Sequence, residues 1–287
     1  MKVLVTGSNS PLGTFIVSKI LESYKDCHIF ALSRSNTIIN NPRVTNLVFD
    51  ITKDQLDLDE KFDLVIHAAA CVPKAAKSES EILETNLYGS LKLFEEIKLN
   101  NDSLIFNISS SSVYDDPFEK VLMENSKKTS TNIYGLSKLR FEEALEELFK
   151  EHLVKVLTIR IPVLLVKGVK NNFFSGWLDS IKASKPISLF NPSSLFNACV
   201  HAEDIFKFLY SYLQDPVKKH LICNLSSSTP ITIKEAAKIL SDEINAGFKF
   251  NEEATNKPAQ LISSDLAEKY GFQPRSVEQS IRDFAIE

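Results

Sequence analysis

Residues 2–13 read KVLVTGSNSPLG, and the rest of the architecture can be worked out from this stretch. Lys2–Thr6 is a short, continuous apolar run, which is typical of a strand buried on both faces of a parallel sheet. Gly7 and Gly13 bracket a tight turn that leads into an amphipathic helical pattern. The start of a helix offers free backbone N–H groups and a positive dipole end to an anion. The stretch therefore predicts a phosphate-binding turn, with an ordinary strand-to-helix loop as the alternative.

Similar apolar runs recur along the chain, separated by stretches with helical periodicity. The strand candidates are Lys2–Thr6, His28–Ser33, Asn46–Asp50, Leu64–Ala69, Leu104–Ser109, Lys155–Ile161 and Leu221–Leu225. The helical candidates are Gly13–Tyr24, Glu79–Leu99, Asn132–His152 and a helix that starts near Ile233, behind the N-cap candidate Thr232. Strands that alternate with helices form βαβ units. The pattern predicts an α/β protein with a Rossmann-type, doubly wound parallel sheet of about seven strands.

Two regions break this alternation, residues 168–200 and the segment from Ser226 to Glu287. The first is rich in Asn, Pro and Ser with aromatic residues between, which favours loops and short helices. We expect the two regions to form a small C-terminal substrate-binding lobe. The predicted division is 1–167 plus 198–228 for the dinucleotide-binding domain, and 168–197 plus 229–287 for the lobe.

The composition excludes several classes of protein. The 287 residues carry a net charge of −4 without a basic block, so we expect no nucleic-acid partner. No apolar run reaches about 18 residues and a strand begins at once, so we expect no membrane span, no signal segment and a cytoplasmic location. The four cysteines are scattered, which favours buried free thiols over a disulfide framework or a metal site.

The turn after the first strand should hold a pyrophosphate. The residues that we expect to contact it are Gly7, Ser10, Pro11, Leu12 and Gly13. Ser10 stands where such turns usually have their middle glycine. Its side chain therefore either crowds the pyrophosphate or donates a hydrogen bond to it.

The end of the second strand selects between the two nicotinamide dinucleotides. A carboxylate there would accept from the ribose 2′-OH of NAD and repel the 2′-phosphate of NADP. This strand ends with Ser33 and Arg34 and has no acid, so we expect both to bind that phosphate and NADP to be the cofactor, with NAD as the alternative. A solvated arginine at a loop is the other interpretation.

The third strand ends with two further candidates for the adenine site. Asp50 is predicted to accept a hydrogen bond from the adenine amino group, and Ile51 to pack on the ring. A cap or turn role for Asp50 is the alternative.

The candidate catalytic group combines Tyr134 and Lys138 with Ser110. The first two lie at positions i and i+4 of a predicted helix, one turn apart on the same face. A nearby ammonium favours the phenolate, so we expect Lys138 to lower the pKa of Tyr134 toward neutrality. Ser110 follows a buried strand at the sheet edge where ligands bind, and its hydroxyl can contact a reacting oxygen. A chance Y-x-x-x-K and a serine-rich turn are the alternatives for each feature alone.

The order and spacing of these motifs resemble the extended short-chain dehydrogenases/reductases, the NAD-dependent epimerase/dehydratase family that acts on nucleotide sugars. The resemblance covers nearly the whole chain. It rests on Thr6-Gly7…Gly13, Asp50-Ile51, His67-Ala68-Ala69-Ala70, Asn86 before Leu87-Tyr88-Gly89, the serine run before Val113-Tyr114, Tyr134…Lys138, Arg160-Ile161-Pro162 and His201…Asp204.

The resemblance implies a role for each matching residue. Ser110, Tyr134 and Lys138 would be the catalytic set, with Tyr134 as acid/base and Lys138 also on the cofactor. The backbone of Ala68, Ala69 and Ala70 would line the cofactor, Asn86 would support the site from its helix, and Ile161 and Pro162 would pass beside the nicotinamide. His201 and Asp204 match a motif that is more often structural.

Departures from the family pattern narrow the reaction. Ser111 and Ser112 replace the Asp-Glu pair of the 4,6-dehydratases, so an elimination of water has no evident agent. Val163 replaces a substrate-binding asparagine, which leaves Ser111, Asn171 and Asn172 as the candidates for substrate contacts. Arg34 favours exchangeable NADPH, so we expect an oxidoreductase that reduces a keto group of a nucleotide sugar. The alternatives are an epimerase with tightly bound NAD, an enzyme of the same fold that acts on a non-nucleotide carbonyl or alcohol, and a non-catalytic NADP(H)-sensing or scaffold protein.

The helical stretches 79–99 and 132–152 carry more apolar residues than one buried face requires. The resemblance implies that they pair with those of a second copy in a homodimer. Packing within one chain is the alternative.

Overall fold

The computed structural model describes residues 1–35, 39–114, 119–128, 131–170, 172–253, 255 and 259–287. The chain divides into two compact units. The first unit comprises Met1–Asp115, Lys128–Arg160 and Leu209–Cys223, and the second comprises Asp116–Lys127, Ile161–Phe208 and Asn224–Glu287.

The elements follow one another in the order expected for an α/β protein. They are β1 (Lys2–Thr6), α1 (Pro11–Ser23), β2 (His28–Ser33), β3 (Val44–Val48), β4 (Lys61–His67), α2 (Glu79–Leu83), a π-helical turn (Glu84–Gly89), α3 (Ser90–Glu96), β5 (Lys98–Ser110), a 3₁₀ turn (Ser111–Val113), β6 (Val121–Leu122), α4 (Ile133–Phe149), β7 (Lys155–Ile161), β8 (Val163–Leu165), α5 (Phe173–Lys182), β9 (Ile187–Phe190), β10 (Leu195–Phe196), β11 (Cys199–His201), α6 (Ala202–Gln214), β12 (His220–Asn224), β13 (Ile231–Thr232), α7 (Ile233–Glu243), β14 (Phe250–Glu253), β15 (Leu261–Ile262), α8 (Asp265–Glu268) and α9 (Val277–Ile286).

A seven-stranded parallel sheet forms the centre of the first unit, as the sequence predicted. Its strand order is β12-β7-β5-β4-β1-β2-β3. The chain runs outward from β1 through β2 to β3, then returns to the other side of β1 with β4, so the order reverses between β1 and β4. Thr6 and His67 are register partners at the ends of these two strands. Ligands of open α/β sheets bind at this kind of reversal, outside the carboxyl ends of the strands.

The inner strands of the sheet match the predicted runs because both of their faces are buried. Val3, Leu4 and Val5 of β1 are fully buried, and a continuous apolar run is what such a strand requires. The third strand is Val44–Val48, two residues before the predicted Asn46–Asp50, since Asp50 starts a turn instead. The predicted helix 79–99 is correct in place but contains a π-helical turn and ends at Glu96.

The second unit has its own apolar core around α5, α7 and α9. Short strand pairs flank this core: β8 with β11, β9 with β14, β10 with β13 and β6 with β15. The predicted N-cap Thr232 is confirmed, because its side chain accepts from Glu235 N–H and the Glu235 carboxylate reaches back to the Thr232 backbone. The region 168–200 contains the ten-residue helix α5 and short strands as well as loops.

The expectation of buried free thiols is confirmed for Cys27, Cys71, Cys199 and Cys223. Within the described part of the chain, no helix is long and apolar enough to cross a membrane. The same residues contain no group of three or more His, Cys, Asp or Glu side chains arranged to hold a metal ion.

Candidate active site

The turn between β1 and α1 is shaped so that only glycine fits at two positions. Gly7 has a φ of +66°, and a Cβ there would lie 2.8 Å from the Ala68 and Ala69 backbone. A Cβ on Gly13 would lie 2.2 Å from the Gly7 carbonyl oxygen. The turn therefore lies directly against the backbone that follows β4, as a phosphate-binding turn requires.

Ser10 caps the helix that follows this turn. Its side-chain oxygen accepts from Gly13 N–H at 3.0 Å, and Pro11 occupies the first helical position. The hydroxyl proton of Ser10 is not used by this contact and can be donated to an anion. Among the described residues, no protein acceptor is found for the backbone N–H groups of Asn9 and Leu12. The turn thus fits the pyrophosphate of a dinucleotide.

A cleft opens beside the turn. It is lined by Thr6, Gly7, Asn9, Ser10, Leu32, Ser33, Arg34, Phe49, Ile51, Ala68, Ala69, Ala70 and Thr85. Eight of these residues were predicted from the sequence, while Thr6, Asn9, Leu32, Phe49 and Thr85 were not. Asn9 had a weak signal, because it lies inside the turn; in the structure its amide donates to Ser35 Oγ at 2.7 Å. The Arg34 guanidinium is exposed and makes no hydrogen bond or ion pair with the described residues.

Asp50 takes the role of a turn residue. Its Oδ1 accepts from the backbone N–H and the hydroxyl of Thr52, at 3.0 and 2.7 Å. Burial acts to raise the pKa of Asp50, but these hydrogen bonds and the Lys53 ammonium lower it overall. Asp50 does not line the cleft, whereas its neighbour Ile51 does. Asp50 is therefore a turn residue in the structure, as the alternative interpretation of the sequence held.

His67 joins the phosphate-binding turn to the helix that carries Asn86. Its Nδ1 lies 2.9 Å from Thr6 Oγ1, and its Nε2 lies 3.0 Å from Ser90 Oγ. Ser90 donates its own proton to the Thr85 carbonyl, so it accepts from His67 Nε2–H, and Nδ1 accepts from Thr6. Burial and the Lys138 charge lower the pKa of His67 to about 3. The imidazole is therefore neutral and held in one tautomer.

Asn86 connects the backbone after Ala70 to the helix of Tyr134. Its Oδ1 accepts from Cys71 N–H at 2.7 Å, and its Nδ2 donates to the Cys71 carbonyl at 3.0 Å. The same Nδ2 donates to Ser137 Oγ at 3.1 Å, and Ser137 donates to the Tyr134 carbonyl. Asn86 lies in the π-helical turn, and Ser90 follows this turn as the first residue of α3. The contacts of Asn86 are thus with the Cys71 backbone and the Ser137 side chain.

The structure brings Ser110, Tyr134 and Lys138 together in the first unit. Ser110 is the last residue of β5 and Tyr134 lies in the first turn of α4. Burial and the Cys71 thiol raise the pKa of Tyr134, and a hydrogen bond with Ser110 counteracts them only in part. The expected lowering of the Tyr134 pKa by Lys138 is not found. The Lys138 ammonium donates to the Ile108 carbonyl at 2.9 Å. Burial lowers the pKa of Lys138 itself to about 8.

Sequence reasoning missed a buried ion pair behind this group. Arg160 donates from Nε and Nη2 to the Glu142 carboxylate, with a shortest distance of 2.6 Å. Both side chains are about 3% exposed. Arg160 was noted only as part of a motif, and Glu142 had one signal, its position four residues after Lys138 on the same helix face.

Of the remaining predicted residues, Ile161, Pro162 and Asn172 belong to the second unit. Asn172 caps α5 by accepting from Ser175 N–H, and its Nδ2 donates to the Leu164 carbonyl, both at 2.8 Å. Ile161 is buried at the end of β7, and Pro162 is half-buried after it. Asn171 lies outside the described residues. Ser111, in the first unit, begins the 3₁₀ turn after Ser110 and is half-buried.

His201 and Asp204 have structural contacts, as the resemblance implied. Asp204 pairs with Arg275 at 2.9 Å and is 3% exposed. His201 lies 3.2 Å from a Glu287 carboxylate oxygen. Burial and the Arg275 charge lower the pKa of His201 to about 4, although Asp283 and Glu203 counteract this. Asp204 thus joins the first turn of α6 to Arg275, which precedes α9.

Comparison with known proteins agrees with this arrangement. Residues 3–225 match the model of the NAD dependent epimerase/dehydratase family. UDP-glucose 4-epimerase of Pisum sativum is 28% identical over 167 residues, which are 52% of this chain and 48% of that protein. D-erythronate dehydrogenase of Haemophilus influenzae is 26% identical over 193 residues, 63% of this chain and 61% of that protein. The chain thus spans about half to three fifths of the length of these two relatives.

A solved structure shares the whole fold. UDP-glucuronic acid 4-epimerase from Bacillus cereus, in complex with NAD, superposes with a TM-score of 0.82 at 19% identity and covers 99% of this chain and 96% of its own. At that identity the likeness is one of fold. Together with the family match over most of the chain and the predicted motifs, it leads to one conclusion: the chain belongs to the NAD-dependent epimerase/dehydratase family, the extended class of short-chain dehydrogenases/reductases.

Proposed function

We propose that this protein is an NAD(P)-dependent nucleotide-sugar epimerase in which Tyr134 moves the proton of the reacting hydroxyl. The main support is that Ser110, Tyr134 and Lys138 lie close together in the unit that also contains the phosphate-binding turn. A phenol held beside a serine hydroxyl can exchange a proton with a sugar hydroxyl. It can also hydrogen-bond the sugar oxygen both as a hydroxyl and as a carbonyl.

Each residue has a defined task in this proposal. A bound nicotinamide dinucleotide supplies hydride transfer. Gly7, Gly13 and the N–H groups of Asn9 and Leu12 hold its pyrophosphate, and Ala68–Ala70 line its path with backbone. Tyr134 takes and returns the hydroxyl proton, Ser110 orients the substrate oxygen, and the Lys138 ammonium holds ribose hydroxyls. Ser111, Asn172, Ile161 and Pro162 remain candidate contacts for substrate and nicotinamide.

A reductase is the second candidate, and it was the first expectation from the sequence. An epimerase returns the hydride that it removes and retains its cofactor, while a reductase consumes a hydride and exchanges it. The relatives named above include epimerases, which favours the first reaction. The Arg34 guanidinium in the cleft favours NADPH, and NADPH favours the reductase. A non-catalytic sensor is less favoured, since Tyr134 and Lys138 are both present.

The first experiment identifies the cofactor. The purified protein is denatured, any released nucleotide is identified, and NADPH and NADH are titrated by fluorescence. Co-purified NAD that does not exchange supports the epimerase, and exchangeable binding that prefers NADPH supports the reductase. Arg34→Asp should reverse the ratio of NADPH to NADH affinity, because the carboxylate repels a 2′-phosphate. Lys25→Asp is the charge-matched control, since Lys25 is exposed in the loop between α1 and β2.

The second experiment tests the role of Tyr134. Interconversion of UDP-glucose and UDP-galactose, and NADPH-dependent reduction of a 4-keto nucleotide sugar, are measured for the unaltered protein. Tyr134→Phe should lower turnover by about 10²–10⁴-fold, because general acid–base catalysis contributes that much. Tyr88→Phe is the matched control, since Tyr88 is 60% exposed. Turnover in Tyr134→Phe equal to that of the control would remove Tyr134 from the mechanism.

A homodimer stays a proposal. Most of the apolar residues that suggested it are buried within the first unit, including Ile82, Phe94, Phe141 and Leu145. Tyr88 is the exposed aromatic residue of the helical segment 79–96. Sedimentation of Tyr88→Lys against the unaltered protein tests whether that face joins two copies.

A further inference from the structure

Glu142 is a buried carboxylate on the face of α4 that carries the catalytic tyrosine and lysine. Tyr134, Lys138 and Glu142 follow one another at intervals of four residues, so their side chains lie along one face of the helix. Glu142 is 3% exposed. A carboxylate at that depth needs a counter-charge and hydrogen-bond donors to remain ionised.

Arg160 and Ser109 supply these donors. Arg160 contacts both carboxylate oxygens of Glu142 from Nε at 3.1 Å, and one of them from Nη2 at 2.6 Å. Ser109, next to Ser110 on β5, donates its hydroxyl to the same carboxylate. The other end of the guanidinium donates to the Tyr114 hydroxyl at 2.9 Å. The carboxylate is therefore held in one place by two strands.

A buried ion pair is weak evidence for a contribution to stability, because desolvation of both charges offsets their attraction. Apolar residues of similar volume would fill the same space. The position of this pair beside the catalytic group calls for another reason, and Lys138 provides one.

The Lys138 ammonium has almost no exposure and donates to one neutral acceptor, the Ile108 carbonyl. Of the groups that face it, His67 on β4 is neutral, and Tyr134 on its own helix and Cys71 after β4 are neutral near pH 7. Arg160 on β7 is a cation, and its guanidinium is bound to Glu142 and Tyr114. Among the described residues, the anion that raises the pKa of Lys138 is Glu142, which lies one turn further along the same face of α4.

We propose that Glu142, held by Arg160 and Ser109, is a positioning residue that keeps the buried Lys138 ammonium protonated at working pH. Burial lowers the pKa of Lys138 to about 8, and the Glu142 charge counteracts that fall. A neutral Lys138 could not stabilise the Tyr134 phenolate or hold ribose hydroxyls as a cation. The catalytic consequence rests on the function proposed above, whereas the ionisation of Lys138 does not.

The test measures that ionisation directly. The protein is labelled with [ε-¹³C]lysine and titrated by NMR, and the Lys138 signal is assigned by its loss in Lys138→Met. We expect a midpoint near pH 8, and in Glu142→Gln a midpoint lower by about 1–3 pH units, the usual effect of an adjacent opposite charge. Glu143→Gln is the matched control, since Glu143 is exposed and pairs with Arg140. An unmoved midpoint in Glu142→Gln would overturn the proposal.

A second variant covers the case in which Glu142→Gln does not fold. Glu142→Leu with Arg160→Met removes both charges and leaves none unpaired, a replacement that buried pairs often tolerate. The Lys138 midpoint should fall here too, and a midpoint equal to that of the unaltered protein would contradict the assignment.

Activity then separates this proposal from the proposed function. If UDP-glucose is a substrate, the basic limb of its kcat/KM profile should move to lower pH in Glu142→Gln, and a purely structural role would lower the whole profile without moving the limb. If UDP-glucose is not turned over, it is not the substrate, and the NMR result still decides the role of Glu142.

Discussion

Gly13 and Gly176 both lie inside helices, yet only Gly13 is enclosed by backbone. A Cβ on Gly13 would lie 2.2 Å from the Gly7 oxygen, while a Cβ on Gly176 has nothing within 4 Å. Gly13→Ala should therefore destabilise the protein by about 1–3 kcal/mol through overpacking and weaken dinucleotide binding. Gly176→Ala should stabilise it by about 0.5–1 kcal/mol through helix propensity. Urea unfolding and cofactor titration measure both; a Gly13→Ala protein with unchanged values would contradict the close packing of the turn.

Single residues also mark where sequence reasoning stopped. Gly7 and Gly13 could be identified because their spacing carries a backbone requirement that few residues meet. The direction of the Tyr134 pKa could not, since it depends on burial and on where Lys138 points, at the Ile108 carbonyl. The two interpretations of Asp50 differ only in a side-chain rotation toward Thr52, which no pattern encodes.

The helix α1 depends on one hydroxyl at its start. Ser10 Oγ accepts from Gly13 N–H, so Ser10→Ala should lower the free energy of unfolding by about 1 kcal/mol, and Ser10→Gly by only a few tenths. Ser18→Ala, at an exposed position of the same helix, is the control and should be neutral or slightly stabilising. Urea denaturation followed by circular dichroism compares the three. Equal stabilities for Ser10→Ala and Ser18→Ala would show that the cap contributes nothing.

Elements with a strong period were predictable and irregular ones were not. The strands Lys2–Thr6, His28–Ser33 and Lys155–Ile161 have the predicted bounds, because burial on both faces demands an uninterrupted apolar run. The π-helical turn at Glu84–Gly89 was not predicted, because one inserted residue hardly changes the helical periodicity of the sequence. Gly89 in this turn packs on the Ile51 carbonyl, a tertiary contact, and Ser90 donates to the Thr85 carbonyl within the same helical segment.

Each unit of the molecule contains a buried histidine with a lowered pKa, about 3 for His67 and about 4 for His201. The unfolded chain binds protons at these sites below about pH 6.5, and the folded protein does not. Stability is therefore complete above that pH and is lost as pH falls toward the folded values. Each histidine should contribute a slope of about 1.4 kcal/mol per pH unit in that window.

Urea unfolding between pH 7 and pH 5.5 measures these slopes. Trp177, the one tryptophan of the chain, lies in the second unit, so its fluorescence follows His201, while circular dichroism follows both units. His67→Gln and His201→Gln should each flatten the dependence, and His152→Gln, at an exposed position, is the control. A dependence as steep in His201→Gln as in the control would show that His201 is protonated in the folded protein.

At the scale of the whole chain, the fold class and family could be predicted because many individually weak motifs occur in the order and spacing of the family. The ion pair between Glu142 and Arg160 could not, since the two positions are 18 residues apart on different elements. The contacts of Asn172, a substrate-binding candidate in the second unit, could not be predicted either. Asn172 uses its amide to cap α5 and to contact Leu164, and no general code links such loops to a ligand.

The buried thiols make the protein a reporter of its own fluctuations. Cys27, Cys71 and Cys223 lie in the first unit and Cys199 in the second, all closed to solvent. A thiol reagent can label each one only when the surrounding structure opens, so labelling rates read out four separate opening free energies. Cys71 hydrogen-bonds Asn86 through its backbone, and a dinucleotide that orders this segment should slow its labelling more than that of Cys199. Ligand binding would thus be detected as a local change in the rate of thiol labelling, without any need to know the substrate.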